Sequence, residues 1–253
     1  MLSVALVIGL PSVEGSKSYA SWHLQTLVRF PVGFAFSTVT LYALGALLQR
    51  LWAIGIWPAT AIGFAVGLPV APNLLDRHFT PSKPNQVWTA DLTYIWTEEG
   101  WLYLAVVLDL FNREVVGWSL KPRMRADIVI DALTMAMFRR KPAPGLIHHS
   151  DRGSQYASGA FQARLKEYGM ICSMSRKGNC WDNAPTESFF NSFKNERVHG
   201  TQYETRAEAI ADAFDYIEPF YNRRRRHSTL GYASPQQFLN DWIKRQHEHE
   251  LAA

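Results

Sequence analysis

Between residues 87 and 120 short apolar runs alternate with short polar breaks. Val87 to Thr97, Trp101 to Leu110 and Glu114 to Leu120 are rich in Val, Trp, Tyr and Leu, which suits β-strands. Glu98-Glu99-Gly100 and Phe111-Asn112-Arg113 are short enough to be hairpin turns, so the three strands are predicted to pair antiparallel. The period then changes. From Ala126 to Lys141, Ile130, Leu133 and Met137 recur at helical spacing, and Arg139-Arg140-Lys141 suits the negative pole of a helix. Pro142 and Pro144 end it. Gly145 to Ser150 predicts a fourth strand, Gln155 to Tyr168 a helix stopped at Gly169, and Met170 to Ser175 a fifth strand. Ser175 to Ala184 reads as an exposed loop, with Trp181 in it as a core anchor by default and a base-stacking ring as the alternative. Pro185 then fits the first turn of a helix. A later helix opens on a capping box, Thr205 with Glu208, and continues through Ile210, Phe214 and Ile217. This order predicts an α/β fold, a mixed sheet with helices on both faces.

Composition changes the picture at one place. The 253 residues are 47% hydrophobic and 19% charged, which suits one substantial core and a smaller appendage. Charge is nearly missing from the start, where residues 1 to 75 carry only Glu14, Lys17, Arg29 and Arg50. The expected division is an apolar arm over residues 1–72, a core over 73–246 ending in a basic helical segment, and a tail over 247–253. The segment from Pro72 to Gln86, with Pro72, Pro81 and Pro84, is an extended lead-in to the first strand. Phe30 to Leu48 and Leu51 to Leu75 are uncharged and long enough to span a membrane. Pro58, Pro69 and Pro72 make the second a poor continuous helix, and Met1 to Gly15 lacks the basic leader of a signal peptide. The arm, irregular or helical, reads as a membrane hairpin, a packing arm or sequence foreign to the domain after it. Two cysteines exclude a disulfide framework or a zinc cluster, and fit reduced thiols in a cytosolic protein. The net charge of +4 permits a nucleic-acid partner without demanding one.

Three acids stand out against this frame. Asp91 lies mid-strand in an apolar run, where a carboxylate is costly unless something cationic meets it. Asp151 follows the fourth strand, and Glu187 sits about one turn into the helix that Pro185 opens. If the first and fourth strands are neighbours, all three meet. Carboxylates at one spot repel one another unless divalent cations neutralise them, and oxygen-only ligation suits Mg²⁺ or Mn²⁺. Two such ions can activate a hydroxyl and stabilise the leaving oxygen of a phosphodiester. Taken singly, each acid would more often face solvent or cap a turn. His148 and His149 adjoin Asp151, although such a pair more often has one ring packed and the other hydrogen-bonded. Asp109 reads as a turn acid bonding backbone amides near Asn112. Asn191 and Lys194 share the helix face of Glu187. Lys194, Arg176 and Lys177, with the run Arg223, Arg224, Arg225 and Arg226, are the candidate DNA-phosphate contacts.

Five segments carry a resemblance to a known family: PNQVWTADLTYIWT, WLYLAVVLDLFNREVVGW, GLIHHSDRGSQYAS, MSRKGNCWDNAPTESFFNSFKNE and YNRRRRHSTLGYASPQQF. From about Gly67 to Trp242 the chain resembles the catalytic subunit of DDE-type insertion-sequence transposases, whose core is like that of retroviral integrases. The resemblance implies an RNase H-like fold, with Asp91, Asp151 and Glu187 on the catalytic, metal-holding triad and Lys194 on a basic DNA contact. It implies Mg²⁺-dependent cutting of element ends and transfer of the 3′-hydroxyl to target DNA. It also implies a homo-oligomer on DNA, a helix-turn-helix partner subunit in related systems, and a cytoplasmic, nucleoid-associated place in a bacterium. The rival readings are an inactive remnant that only binds DNA and a membrane-attached protein.

The chain departs from that family upstream of the core, where relatives are basic and helical and residues 1–66 are apolar. One hypothesis is translation out of the ancestral frame, since arginine-rich GC-rich codons shifted by one yield Ala, Gly, Pro and Val. It predicts that another frame of the coding DNA upstream of Gly67 encodes a Lys/Arg-rich helical segment; sequencing that DNA and finding none excludes it.

Overall fold

The computed structural model describes residues 70–177 and 180–252. The arm of residues 1–66 lies outside them, with the membrane, packing and frame readings that attach to it. No helix of the described residues is long and apolar enough to cross a membrane.

Five strands form one sheet: β1 (Val87–Ile95), β2 (Leu102–Asp109), β3 (Val115–Lys121), β4 (Ile147–Ser150) and β5 (Ile171–Met174), in the order β3-β2-β1-β4-β5. The first three pair antiparallel through short turns, as their sequence predicts. β4 then joins the other edge of β1 in parallel, and β5 joins β4 in parallel. This is the RNase H-like mixed sheet.

Alternation along β1 and β2 explains why both read as nearly unbroken apolar runs: each of their faces is covered. Val87, Ile95, Leu102, Leu104, Val106 and Leu108 face one core, shared with Phe189, Phe190 and Phe193 of α3 (Ala184–Phe193). Ala209 and Ala213 of α4 (Arg206–Asp215), with Tyr216, Ile217 and Tyr221 beyond it, complete that layer. Trp88, Ala90, Ala105 and Val107 face the second core, against α1 (Ala126–Arg140) and α2 (Gly159–Glu167). A last helix, α5 (Pro235–Ala252), runs through the residues set apart as a tail.

Three elements differ in detail from their sequence reading. α1 buries Ile128, Val129, Ala132, Leu133 and Ala136, and leaves Ile130 and Met137 half-buried. α4 turns Ala209 and Ala213 inward and leaves Ile210 and Phe214 38% and 48% exposed. Small residues let a helix lie close to its neighbours, so the bulkiest apolar positions do not mark the inner face. α2 begins at Gly159 rather than Gln155, because the Ser158 hydroxyl accepts from the Phe161 N–H and caps the helix there.

The lead-in before β1 has neither helix nor strand, as its prolines require. It runs along the outer side of β5: the N–H groups of Leu74 and Leu75 donate to Ser173 Oγ, and the Met174 N–H donates to the Pro72 carbonyl. An otherwise open sheet edge is thereby covered.

Gly117 of β3 sets how near α1 can lie, since a Cβ there would stand 2.1 Å from the Ala132 carbonyl oxygen. Gly117→Ala is expected to destabilise the domain by about 1–3 kcal/mol, the usual range for overpacking, measured as a lower urea midpoint.

Candidate active site

Parallel pairing of β1 with β4 matches Val87 with Ile147, Trp88 with His148 and Thr89 with His149. Asp91 and Asp151 each lie two residues further on, so the two chains deliver them side by side, at a strand spacing of about 4.8 Å. By alternation from Val87 and Ile95, Asp91 belongs to the α3 face of the sheet. Glu187 comes from the first turn of α3, with Pro185 in that same turn as the sequence predicts. Two bonds dock this helix start on β1. The Thr186 hydroxyl donates to Thr89 Oγ1 at 2.7 Å, and Asn183 Nδ2 donates to the Ala90 carbonyl at 3.3 Å.

Asp182 and Asn183, which sequence reasoning passed over as loop residues, are both buried and hold this arrangement. Asp182 accepts from Asn73 Nδ2 at 2.9 Å, Arg77 Nε at 3.0 Å and the Arg176 N–H at 2.9 Å. Burial opposes its charge, yet these donors prevail and hold its carboxyl below the usual range. Asp-Asn ahead of Ala-Pro signals a helix start in the sequence, but Asn183 at the N-cap makes no side-chain capping bond, and both side chains reach distant segments that no local pattern discloses. Trp181 is not a core anchor. With its neighbours taking the buried places, it stands 70% exposed.

The acids themselves are poorly compensated. Burial, followed by repulsion from Asp151 and Glu187, pushes the Asp91 carboxyl up to about 7, against hydrogen bonds from the Leu92 N–H and Asn183. Desolvation raises Asp151 and Glu187 as well. Asp151 Oδ1 accepts from the Gly153 N–H at 2.9 Å, and a Cβ on Gly153 would come equally near that oxygen. Among the described residues, none of the three acids forms an ion pair. Nor do any three His, Cys, Asp or Glu side chains there converge closely enough to hold a metal as they stand. Uncompensated oxygens within one another's field suit a hard divalent cation, toward which the exposed Asp151 and Glu187 can turn.

The other candidates sort by contact. His149 bonds Ser173 Oγ and Ser175 Oγ, at 2.8 and 3.2 Å, while His148 is buried with its ring edge to Phe161. Desolvation lowers them to about 4 and about 3, so both are neutral and brace β4 from within. Asp109 accepts from the N–H groups of Phe111 and Asn85, the turn role expected of it. Asn191 is exposed and accepts from Asn195 Nδ2. Lys194 Nζ lies 4.6 Å above the ring of Tyr94. Arg176 pairs with Asp76, and Arg225 pairs with Glu196 at 2.6 Å and bonds Ser192. Lys177, Arg223, Arg224 and Arg226 are exposed, with no ion pair among the described residues.

Residues 81–180 and 187–242 each match a family model described as an integrase core domain, together more than half of the chain. The chain belongs to the integrase core family. Over 176 residues it is 54% identical to the transposase InsF for insertion sequence IS3A of Escherichia coli (strain K12), covering 70% of this chain and 61% of that protein. Over 186 residues it is 50% identical to the insertion element IS600 uncharacterized 31 kDa protein of Shigella sonnei, covering 74% and 66%. The chain therefore spans about three fifths of the InsF relatives it matches. Among solved structures, a chain of the simian T-cell lymphotropic virus intasome, in complex with PP2A regulatory subunit B56 gamma, shares the integrase core fold. It aligns with a TM-score of 0.51 at 15% identity, covering 68% of this chain and 58% of that one.

Asp91 titrates from 3.8 when unfolded to about 7 when folded, so the folded protein holds the extra proton between those values. Metal-free stability therefore falls as pH rises from about 4 to about 7. Asp91→Asn is expected to melt above wild type at pH 8 in chelator, with the gap closing by pH 4, and Mg²⁺ is expected to raise the melting temperature of wild type alone. Parallel pH profiles for the two proteins would contradict this account.

Proposed function

We propose that this integrase core is the catalytic part of an insertion-sequence transposase, a polynucleotidyl transferase that cuts DNA at element ends and joins the freed 3′-hydroxyl to target DNA. The observation that carries the reading is the placement of Asp91 midway along β1, Asp151 just past the end of the neighbouring β4 and Glu187 in the first turn of α3, with no ion pair to any of them among the described residues. Similarity to the InsF transposase supports the same substrate.

Asp91, Asp151 and Glu187 would hold two Mg²⁺ or Mn²⁺ ions, which supply charge neutralisation at the phosphate and an activated hydroxyl when bound. The chain itself positions the reactants. β1 and β4 present two carboxylates from a sheet that cannot shift without breaking its register, and the Thr186 and Asn183 bonds hold the third beside them. In the joining reaction the 3′-oxygen bonds to phosphorus as its proton passes to solvent, the bond to the displaced 3′-oxygen breaks, and that oxygen takes up a proton from solvent. No covalent link to protein is needed. Lys194, Lys177, Arg223, Arg224 and Arg226 would take DNA phosphates, and Arg176 and Arg225 would do so on leaving Asp76 and Glu196.

Two DNA ends handled together imply a homo-oligomer on DNA, and a helix-turn-helix subunit could supply end recognition. Such a substrate places the protein with the nucleoid in a bacterial cytoplasm.

Nicking and joining of DNA that carries the element's own ends tests the reading, with Mg²⁺ or Mn²⁺ present or chelated. Wild type is expected to be active only with metal, and Asp151→Asn to lose more than about a hundredfold, the upper end of what an outer-shell residue costs. No activity from folded, metal-binding protein would favour the remnant that only binds DNA.

A further inference from the structure

Beyond Thr89 the outer edge of β1 is no longer paired with β4, and the strand continues to Ile95 with three aromatic side chains gathered at its end. Tyr94 and Trp96, with Trp101 at the start of β2, are 53%, 52% and 44% exposed. Their rings touch one another edge to face, Tyr94 to Trp101 at 5.0 Å and Trp96 to Trp101 at 4.8 Å. The cluster is rigidly mounted. Arg206 donates from Nε to the Trp101 carbonyl at 3.3 Å and bonds the Glu99 carbonyl, and the Glu98 N–H donates to the Tyr203 carbonyl at 3.0 Å, which ties the hairpin turn to the neighbouring helix.

α3 runs alongside β1 in the same direction, with Thr186 against Thr89 at one end and Lys194 over Tyr94 at the other. Glu187 to Lys194 is seven residues of helical chain, about 10 Å, and Asp91 to Tyr94 is three residues of strand, also about 10 Å. The ammonium and the ring therefore lie at one level, within about three nucleotide steps of the carboxylates along a duplex strand; Tyr94 alternates to the other face of β1 from Asp91, and Lys194 meets its ring where that strand has no β4 partner.

We propose that Tyr94 and Lys194 form one grip on the DNA strand beside the bond that reacts: the Tyr94 ring, braced by Trp101 and Trp96, stacks on a base that has left the duplex, and Lys194 holds the adjoining phosphate. The inference rests on the transposase reading and adds the element that holds the strand end. An exposed aromatic with a cation over one face suits unpaired nucleic acid, because every base offers a π face and every nucleotide a phosphate, and the base takes the face that Lys194 leaves open. The ring orients the lysine in turn, since a cation over an aromatic face gives up the freedom of its long side chain before DNA arrives.

The test is a cycle between protein and DNA on the full chain. Labelled DNA with the element's end, intact or with an abasic site one, two or three nucleotides from the cut, is titrated with wild type, Tyr94→Phe and Tyr94→Leu in chelator. Wild type and Tyr94→Phe are expected to lose about tenfold in affinity at one abasic position. Tyr94→Leu is expected to bind intact DNA about tenfold more weakly and to show no further loss at that position. An abasic penalty of the same size in Tyr94→Leu as in wild type, or none in wild type, overturns the stacking. Binding is read without cleavage, so failure of the transposase reading would appear separately, as no metal-dependent nicking by wild type.

Discussion

Parallel pairing of β1 with β4 over three residues is the constraint on which the site depends. A strand cannot slip by one residue without sending its side chains to the opposite face, and here both faces are buried. The pairing therefore sets Asp91 and Asp151 level with each other, on strands held from above and below by separate cores. Trp88 and His148, three residues earlier, face the second core with Phe161, so the register that places the acids is the one that packs the opposite face.

The third acid is held by a different kind of bond. Between β5 and α3 the chain crosses the sheet, and what fixes it is a polar anchor under the crossing. Asp182 gathers donors from the lead-in and from the loop, and Asn183 and Thr186 reach β1 beside Asp91. Buried polar groups are tolerated in such a place because each one named has partners. The same crossing leaves Trp181 in solvent, so one short segment presents both the anchor of the site and an aromatic surface.

Much of the fold was legible because both faces of the sheet are covered and α1 to α4 each bury an apolar side against it. The five strands and α1 to α4 appeared in the right order, the hairpins as hairpins, and the acids on the elements that carry them, whereas α5 runs through residues read as a tail. Inner faces were less legible. Ile210 and Phe214 drew the eye where Ala209 and Ala213 do the packing, since periodicity of bulky residues says nothing of how closely two helices lie. In the basic run, four arginines read alike. One of them, Arg225, is tied to Glu196 across the fold, a partner twenty-nine residues away that no local pattern discloses.

By itself the sequence determined the strand and helix order, the three acids and their chemical type, because these follow from local period, turn residues and the cost of a carboxylate in an apolar run. Tertiary structure alone decided that Asp91 and Asp151 stand side by side, that both histidines are neutral struts, that Asp182 is an anchor, and that Lys194 meets Tyr94. Each of those depends on which distant segments become neighbours, and that is settled by strand register and the fit of two packed cores rather than by any residue's own preference.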